Sequence, residues 1–409
     1  MKCRSCSSNK LSKFLDLGKA PPSNSYISKQ NLKFEKYYPL QVFICKTCFF
    51  VQTKDFLRSK DFFDKNYAYF SGYSKTYEDH CSEYKKKITK TFKLNKKFHT
   101  IYEIASNDGT MLKNFFYSGY KCIGIEPTKS TAENSKKIGI NTIVDFFGYK
   151  LSKKLKRKYK KAKLIISNNV LAHVPDLDDF LNGYYNLLDD EGLITFEFPH
   201  LLNLIKFKQF DTIYHEHYSY LSIISLDKLM NRKKLKIFKI EKLPKIHGGS
   251  LRVYVTKNNN KKFAINNSVK KIISEEKKFG LNNIETFYKF KSQVESISKN
   301  FTNFVQKNIN QNKNIYGYGA AAKTNTFLNY LELNKKYIKG IFDLNNEKIG
   351  KLMPGSHIKI LNARKINNYK IDILVIFVWN LEKKILLYLK KKLKKKIKIF
   401  IAVPKIRSL

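Results

Sequence analysis

The chain has 409 residues, 43% of them hydrophobic, which is enough for two to three domains with cores of their own. Its formal net charge is +46, from 79 Lys and Arg against 33 Asp and Glu. Lysine far outnumbers arginine along the whole length, so the charge does not mark one phosphate-binding face, and no nucleic-acid partner is expected. No apolar run approaches the ~20 residues of a membrane span, and the N-terminus carries no secretory apolar region, so a cytoplasmic protein without disulfides is expected.

In chain order, Cys3-Arg4-Ser5-Cys6 and Cys45-Lys46-Thr47-Cys48 come first, as two CxxC pairs. Each tight turn can place two thiolates on one ion, and two turns complete a tetrahedron. Cys3, Cys6, Cys45 and Cys48 are therefore predicted to hold a structural Zn2+, closed to water by four sulfurs. The long interval between the pairs, with Pro21-Pro22, predicts a small insert. Cys81 and Cys122 are isolated and read as packing residues.

Residues 99–112 read as a short strand, a turn and the start of a helix. Glu103 sits late in the strand. Ala105, Ser106, Asn107, Asp108 and Gly109 lead into and form the turn, and Gly109 permits close backbone approach. A second strand follows at 121–127 and ends in Glu126, placed for hydrogen bonds to ribose hydroxyls. The first loop is not GxGxxG, which disfavours a nicotinamide dinucleotide. S-adenosylmethionine (SAM) has no phosphate and suits a polar turn. Asp145, in Val144-Asp145-Phe146-Phe147, is placed to flank an adenine. Residues 164–169, ending in Asn168-Asn169, and 192–199 are further strands. This alternation predicts a doubly wound α/β domain. The Lys-rich runs at 153–163 and 390–398 read as solvated faces.

Residues 214–220, Tyr-His-Glu-His-Tyr-Ser-Tyr, hold two imidazoles, a carboxylate and three phenols, which is the composition of a proton-moving site rather than a core. If extended, the segment puts His215 and His217 on one face and turns Glu216 away. His247-Gly248-Gly249-Ser250-Leu251-Arg252 reads as a turn into a strand, with Arg252 placed to meet a phosphate. A helical stretch over 268–308 precedes a second strand–turn–helix unit at 313–326. There Gly317, Gly319 and the alanines 320–322 keep the turn small enough for a phosphate at the helix start, and Lys323 adds charge. Strands are predicted at 338–343, 371–379 and 397–403.

Six motifs in order resemble the SAM-dependent C-methyltransferases that act on nucleotide-linked deoxysugars. They are the paired CxxC, EIASNDG at 103–109, NVLAHVPD at 169–176, YHEHYSY at 214–220, HGGSLR at 247–252 and YGYGAAAKTN at 316–325. The resemblance implies an α/β fold with a small zinc domain at 1–64, a central Rossmann-like SAM methyltransferase domain at 65–262 and a C-terminal Rossmann-like domain at 263–409. It implies SAM and Zn2+ as cofactors. The implied partner is a nucleotide-linked 4-keto-deoxysugar, methylated beside the ketone through an enolate by a monomer or homodimer. It implies His217 as general base, with Glu216 and Tyr214 orienting it or binding the sugar, and His173 stabilising the developing oxyanion. Glu103, Ala105, Asn107, Gly109, Glu126, Asp145 and Asn169 are then the cofactor residues. Tyr67, Tyr69, Arg252, Gly317, Gly319 and Lys323 are the expected substrate residues. One departure is Thr324, which follows Lys323 where the family more commonly has glycine.

Overall fold

The computed structural model of the protein describes residues 1–62, 70–73, 75–244, 246 and 248–409. Among these residues the strands form three sheets, and no helix is long and apolar enough to cross a membrane.

The central sheet has seven strands, ordered Leu235–Leu243, Ser250–Lys257, Leu188–Pro199, Ala162–Asn168, Thr100–Ile104, Lys121–Ile125 and Asn141–Ile143. The last five run parallel, and Ser250–Lys257 lies antiparallel between Leu188–Pro199 and Leu235–Leu243. Every residue of Thr100–Ile104 is buried, as expected for a strand covered by helices on both faces. The strand order reverses on either side of it, so a crevice opens beyond its carboxyl end, where ligands of doubly wound sheets bind.

The third sheet, ordered Ile360–Asn362, Ile341–Asp343, Ile315–Tyr318, Ile373–Ile376, Lys398–Ile401 and Arg407–Ser408, is parallel but for its last strand. The helical stretch leading to it is broken in two, Asn267–Phe279 and Ile284–Asn310. Gly280 explains the break, because its φ of +95° caps the first helix in the left-handed region and turns the chain. The second helix starts at Asn283, whose side chain accepts from the Glu285 N–H. Its buried face, including Phe287, Val294 and Phe301, shares one core with Phe14 of the N-terminal sheet and Phe327 and Phe377 beside the third.

The N-terminal sheet is ordered Leu11–Ala20, Tyr38–Cys45, Val51–Thr53 and Ser219–Tyr220. Its fourth strand comes from the middle of the chain, at the end of the His- and Tyr-rich segment, through Val51↔Tyr220 and Gln52↔Ser219.

Candidate active site

The four N-terminal cysteines converge as their spacing predicts. Their sulfurs lie within 4.8 Å of one another, with Cys3–Cys48 and Cys6–Cys45 Sγ pairs at 3.6 Å. A tetrahedron of roughly 2.3 Å Zn–S bonds has edges of about 3.8 Å, so the donor set fits one Zn2+. The Cys48 thiol is pulled down to about 5, first by the Cys3 thiol and then, against burial, by the Phe50 N–H. The other two cysteines, Cys81 and Cys122, are buried in packing positions.

A cavity of about 770 Å³ opens at the carboxyl edge of the central sheet. One wall is the turn after Thr100–Ile104. Ala105, Asn107 and Gly109 there all have positive φ, at 54°, 49° and 79°, so the turn is held in an uncommon conformation. Glu126 holds it, one carboxylate oxygen accepting from Asn107 N and the other from Thr128 N, each at 2.8 Å. Each oxygen keeps a second lone pair for a ribose hydroxyl. Burial pushes the Glu126 carboxyl upward. Glu103 is pushed well up, first by burial and then by Asp108 and Glu126, and its buried Oε2 has no hydrogen-bond partner. Asp145 and Asn169 also line the cavity. So does Asn168, whose two side-chain amide atoms are buried and unpartnered. These orphaned groups fit a ligand with both amino and carboxylate ends, such as the methionine part of SAM. Gly109 does not face the cavity. A Cβ there would lie 2.7 Å from Ser135 Oγ and 2.9 Å from Ile140 Cδ1, so its glycine serves helix packing and positive φ rather than ligand approach.

The opposite wall carries the His- and Tyr-rich segment, and here the extended reading fails. Residues 215–216 form a turn closed by His217 N–H donating to Tyr214 O at 3.0 Å. A turn abolishes the two-residue alternation, so the two imidazoles part. His217 faces the cavity, its ring 4.1 Å from that of Tyr214 and 4.6 Å from that of His173. His215 points away, with Nε2 donating to Tyr38 O at 3.1 Å, and is a packing residue. Glu216 also turns from the cavity into the protein, where Asn24 N and Nδ2 donate to its Oε1. His173 Nδ1 donates to Glu216 O at 2.7 Å. The neutral ring then carries no proton on Nε2, and burial holds its pKa down to about 4. A neutral His173 in this tautomer cannot donate to an oxyanion, which removes the basis of the role expected from sequence.

The third wall comes from the C-terminal sheet. Ala321, Ala322, Lys323 and Lys348 line the cavity. Lys323 sits 4.2 Å from the Trp379 ring centre and donates to Asn380 Oδ1 at 2.8 Å. Trp379 Nε1 donates in turn to Asp211, whose carboxyl burial raises to about 6. Gly317 and Gly319 do not reach the cavity. A Cβ would meet Ile341 and Phe377 at Gly317, and Val378 at Gly319, so both are packing glycines.

Arg252 lies elsewhere. It is 3% exposed, with its Nε 2.6 Å from Glu197 Oε1 and His80 close by, which leaves no route to a phosphate in the cavity. Tyr67, Tyr69 and His247 fall outside the described residues. Sequence reasoning missed Asn24, Asn168 and Lys348. Asn168 had a signal, because it forms a polar pair with Asn169 at a strand end, and both members of that pair line the cavity.

Three family models match successive parts of the chain: a zinc binding domain at 3–63, a methyltransferase domain at 76–239 and a C-methyltransferase C-terminal domain at 245–404. C-methyltransferase NovU of Streptomyces niveus is 25% identical over 379 residues, covering 92% of this chain and 89% of its own. Among solved structures, PH0226 of Pyrococcus horikoshii OT3 aligns at 12% identity and TM-score 0.38, over 46% of this chain and 94% of its own. A SAM-dependent methyltransferase of Clostridium acetobutylicum ATCC 824 aligns at 11% identity and TM-score 0.37, over 44% and 92%. The protein is a SAM-dependent methyltransferase, with SAM and zinc as its cofactors. Along nearly its whole length it is similar to a C-methyltransferase, and the last part of the chain matches a C-methyltransferase C-terminal domain.

Proposed function

We propose that the enzyme methylates the carbon beside the ketone, carbon 3, of a nucleotide-linked 4-keto-deoxysugar. The observation that carries this reading is the placement of His217 in the cavity, its ring packed against Tyr214 and His173, in the same cavity as the polar turn of the central sheet. A carbon acceptor needs a base, because a C–H proton must leave before the carbon can act as a nucleophile. Bound SAM supplies an electrophilic methyl group. Glu103, Asn168 and Asn169 would hold its methionine part, Glu126 its ribose and Asp145 its adenine.

His217 takes the proton from carbon 3. The C–H electron pair becomes the enolate double bond, and the ketone oxygen gains the charge. With His173 neutral, that charge falls to O–H donors, and Tyr214 is the phenol packed against His217. His217 then returns its proton to solvent. Lys323, at the first turn of the helix Ala322–Tyr330, meets the diphosphate of the acceptor, with Lys348 beside it on the cavity wall. Arg252 and the two glycines are left out of this set. We place the enzyme in the cytoplasm, where reducing conditions keep four thiolates available to zinc, and take 1–64, 65–262 and 263–409 as working domains.

The test is incubation with a thymidine-diphosphate-linked 4-keto-6-deoxysugar in deuterated water, with and without SAM, read by mass spectrometry. Deuterium uptake without SAM and a gain of one methylene mass with it are expected. Methyl gain without exchange, or neither, would sink the enolate reading for this acceptor.

A further inference from the structure

The insert between the two CxxC pairs reaches two walls of the cavity, the one from the C-terminal sheet and the one that carries the His- and Tyr-rich segment. Pro21 lies against Gly355, and Ile27 bridges Leu352 through two backbone hydrogen bonds of 2.8 and 3.3 Å. Tyr26 Oη donates to Ala320 O at 2.8 Å, and Lys348 Nζ donates to the same oxygen at 2.8 Å. Between these anchors Asn24 stands exposed on the cavity wall while its backbone N, at 3.3 Å, and Nδ2, at 3.2 Å, donate to the buried Glu216. The other carboxylate oxygen of Glu216 is buried without a partner. Burial pushes the Glu216 carboxyl upward, and its own N–H together with the Asn24 donors opposes that rise, so its carboxylate form depends on the donors it has. The backbone of Glu216 sits in the turn between Tyr214 and His217, and its carbonyl receives His173. One exposed carboxamide therefore touches a residue that bonds or neighbours three side chains of the proton-transfer wall.

We propose that Asn24 is a positioning residue for proton abstraction, acting through Glu216 to set the turn that carries Tyr214 and His217 and the carbonyl that orients His173. The inference rests on the reading of His217 as the base. The ionisable groups facing Glu216 from the elements packed on it are Tyr26, Tyr218 and Tyr220, with Lys348 beyond Tyr26. All three phenols are raised, first by burial, and stay neutral near pH 7. A new carboxylate at position 24 would thus meet Glu216 with no cation between them.

Two variants separate positioning from simple architecture. Asn24→Ala keeps the backbone donor and loses Nδ2, so kcat and deuterium uptake at the acceptor carbon should fall about tenfold, as for one charge-assisted hydrogen bond. SAM affinity should stay at the wild-type value, and the melting temperature should fall by no more than the worth of one hydrogen bond to a buried carboxylate. Asn24→Asp should lose more at neutral pH, and its rate relative to wild type should recover as pH falls and the two carboxyls share a proton. Wild-type uptake and turnover in Asn24→Ala, or a loss in Asn24→Asp that is equal at every pH, overturns the proposal. If wild type itself neither exchanges nor methylates this acceptor, the functional reading has failed on its own. 15N-histidine titration of substrate-free protein then decides. Shifted His173 and His217 signals in Asn24→Asp support the coupling, and unchanged ones refute it.

Discussion

Replacing Arg252 with methionine tests whether this residue serves the fold or the substrate. The guanidinium is 3% exposed and Glu197 1% exposed, so the change leaves a buried carboxylate with His80 as its remaining close partner. Removing one partner of a buried pair costs about 3–5 kcal/mol, and a unit of this size loses about 2–4 °C per kcal/mol. The melting temperature should fall by about 6–20 °C on those two figures, while the KM for SAM and for the sugar nucleotide in the folded enzyme stays close to wild type. Pairing the change with Glu197→Gln should restore much of the loss, because the orphaned charge goes with it. Burial alone would raise Glu197, yet His80 and Arg252 bring it net below the ordinary carboxylate range. Its contribution to stability is therefore present above the unfolded carboxylate pKa and is lost as pH falls through the lower folded value. Circular dichroism melts at neutral pH and at about pH 3, just below the usual carboxylate pKa, read both effects. A variant that melts with wild type, or that keeps its stability while its sugar-nucleotide KM rises, would refute the structural assignment.

Other outcomes follow from the same geometry. His217→Asn should bind SAM normally by calorimetry and lose about 10²–10⁴-fold in kcat, the usual contribution of a general base. Acidification should destabilise the fold between about pH 6.5, the ordinary histidine value, and the buried His173 value of about 4, because the unfolded chain takes up a proton that the folded one refuses. His173→Phe should flatten that slope in thermal melts. Gly109→Ala should cost about 1–3 kcal/mol in urea unfolding, from positive φ and the Ser135 contact, with the loss appearing in stability more than in SAM affinity. Chelation of zinc, or Cys48→Ser, should lower the melting temperature and remove the stoichiometric metal signal from elemental analysis.

Much of the architecture was legible because the signals were local. The CxxC spacing fixes four thiolates whatever lies between, and the runs at 100–104, 121–125 and 373–376 are short, apolar and bounded by turns. What was hidden depends on contacts distant in sequence. Whether Gly109 faces a ligand or Ser135 is decided by the helix Lys129–Lys137, and no pattern near position 109 reveals it. Arg252 looked like a phosphate ligand until Glu197, on a neighbouring strand, claimed it. The turn at 215–216 separated two imidazoles that strand periodicity would pair. Asn24 carried no signal at all, since its partner lies 192 residues away.

The two-residue strand Ser219–Tyr220, pinned to Val51 and Gln52, bears on how such enzymes can be recombined. A chimera that imports a foreign N-terminal module but keeps the host's residues 214–220 would graft a new edge onto an old turn of the cavity wall, and the register between them would be left to chance. The heritable unit is discontinuous: residues 1–53 and 214–220 travel together, or the turn that carries His217 arrives misaligned.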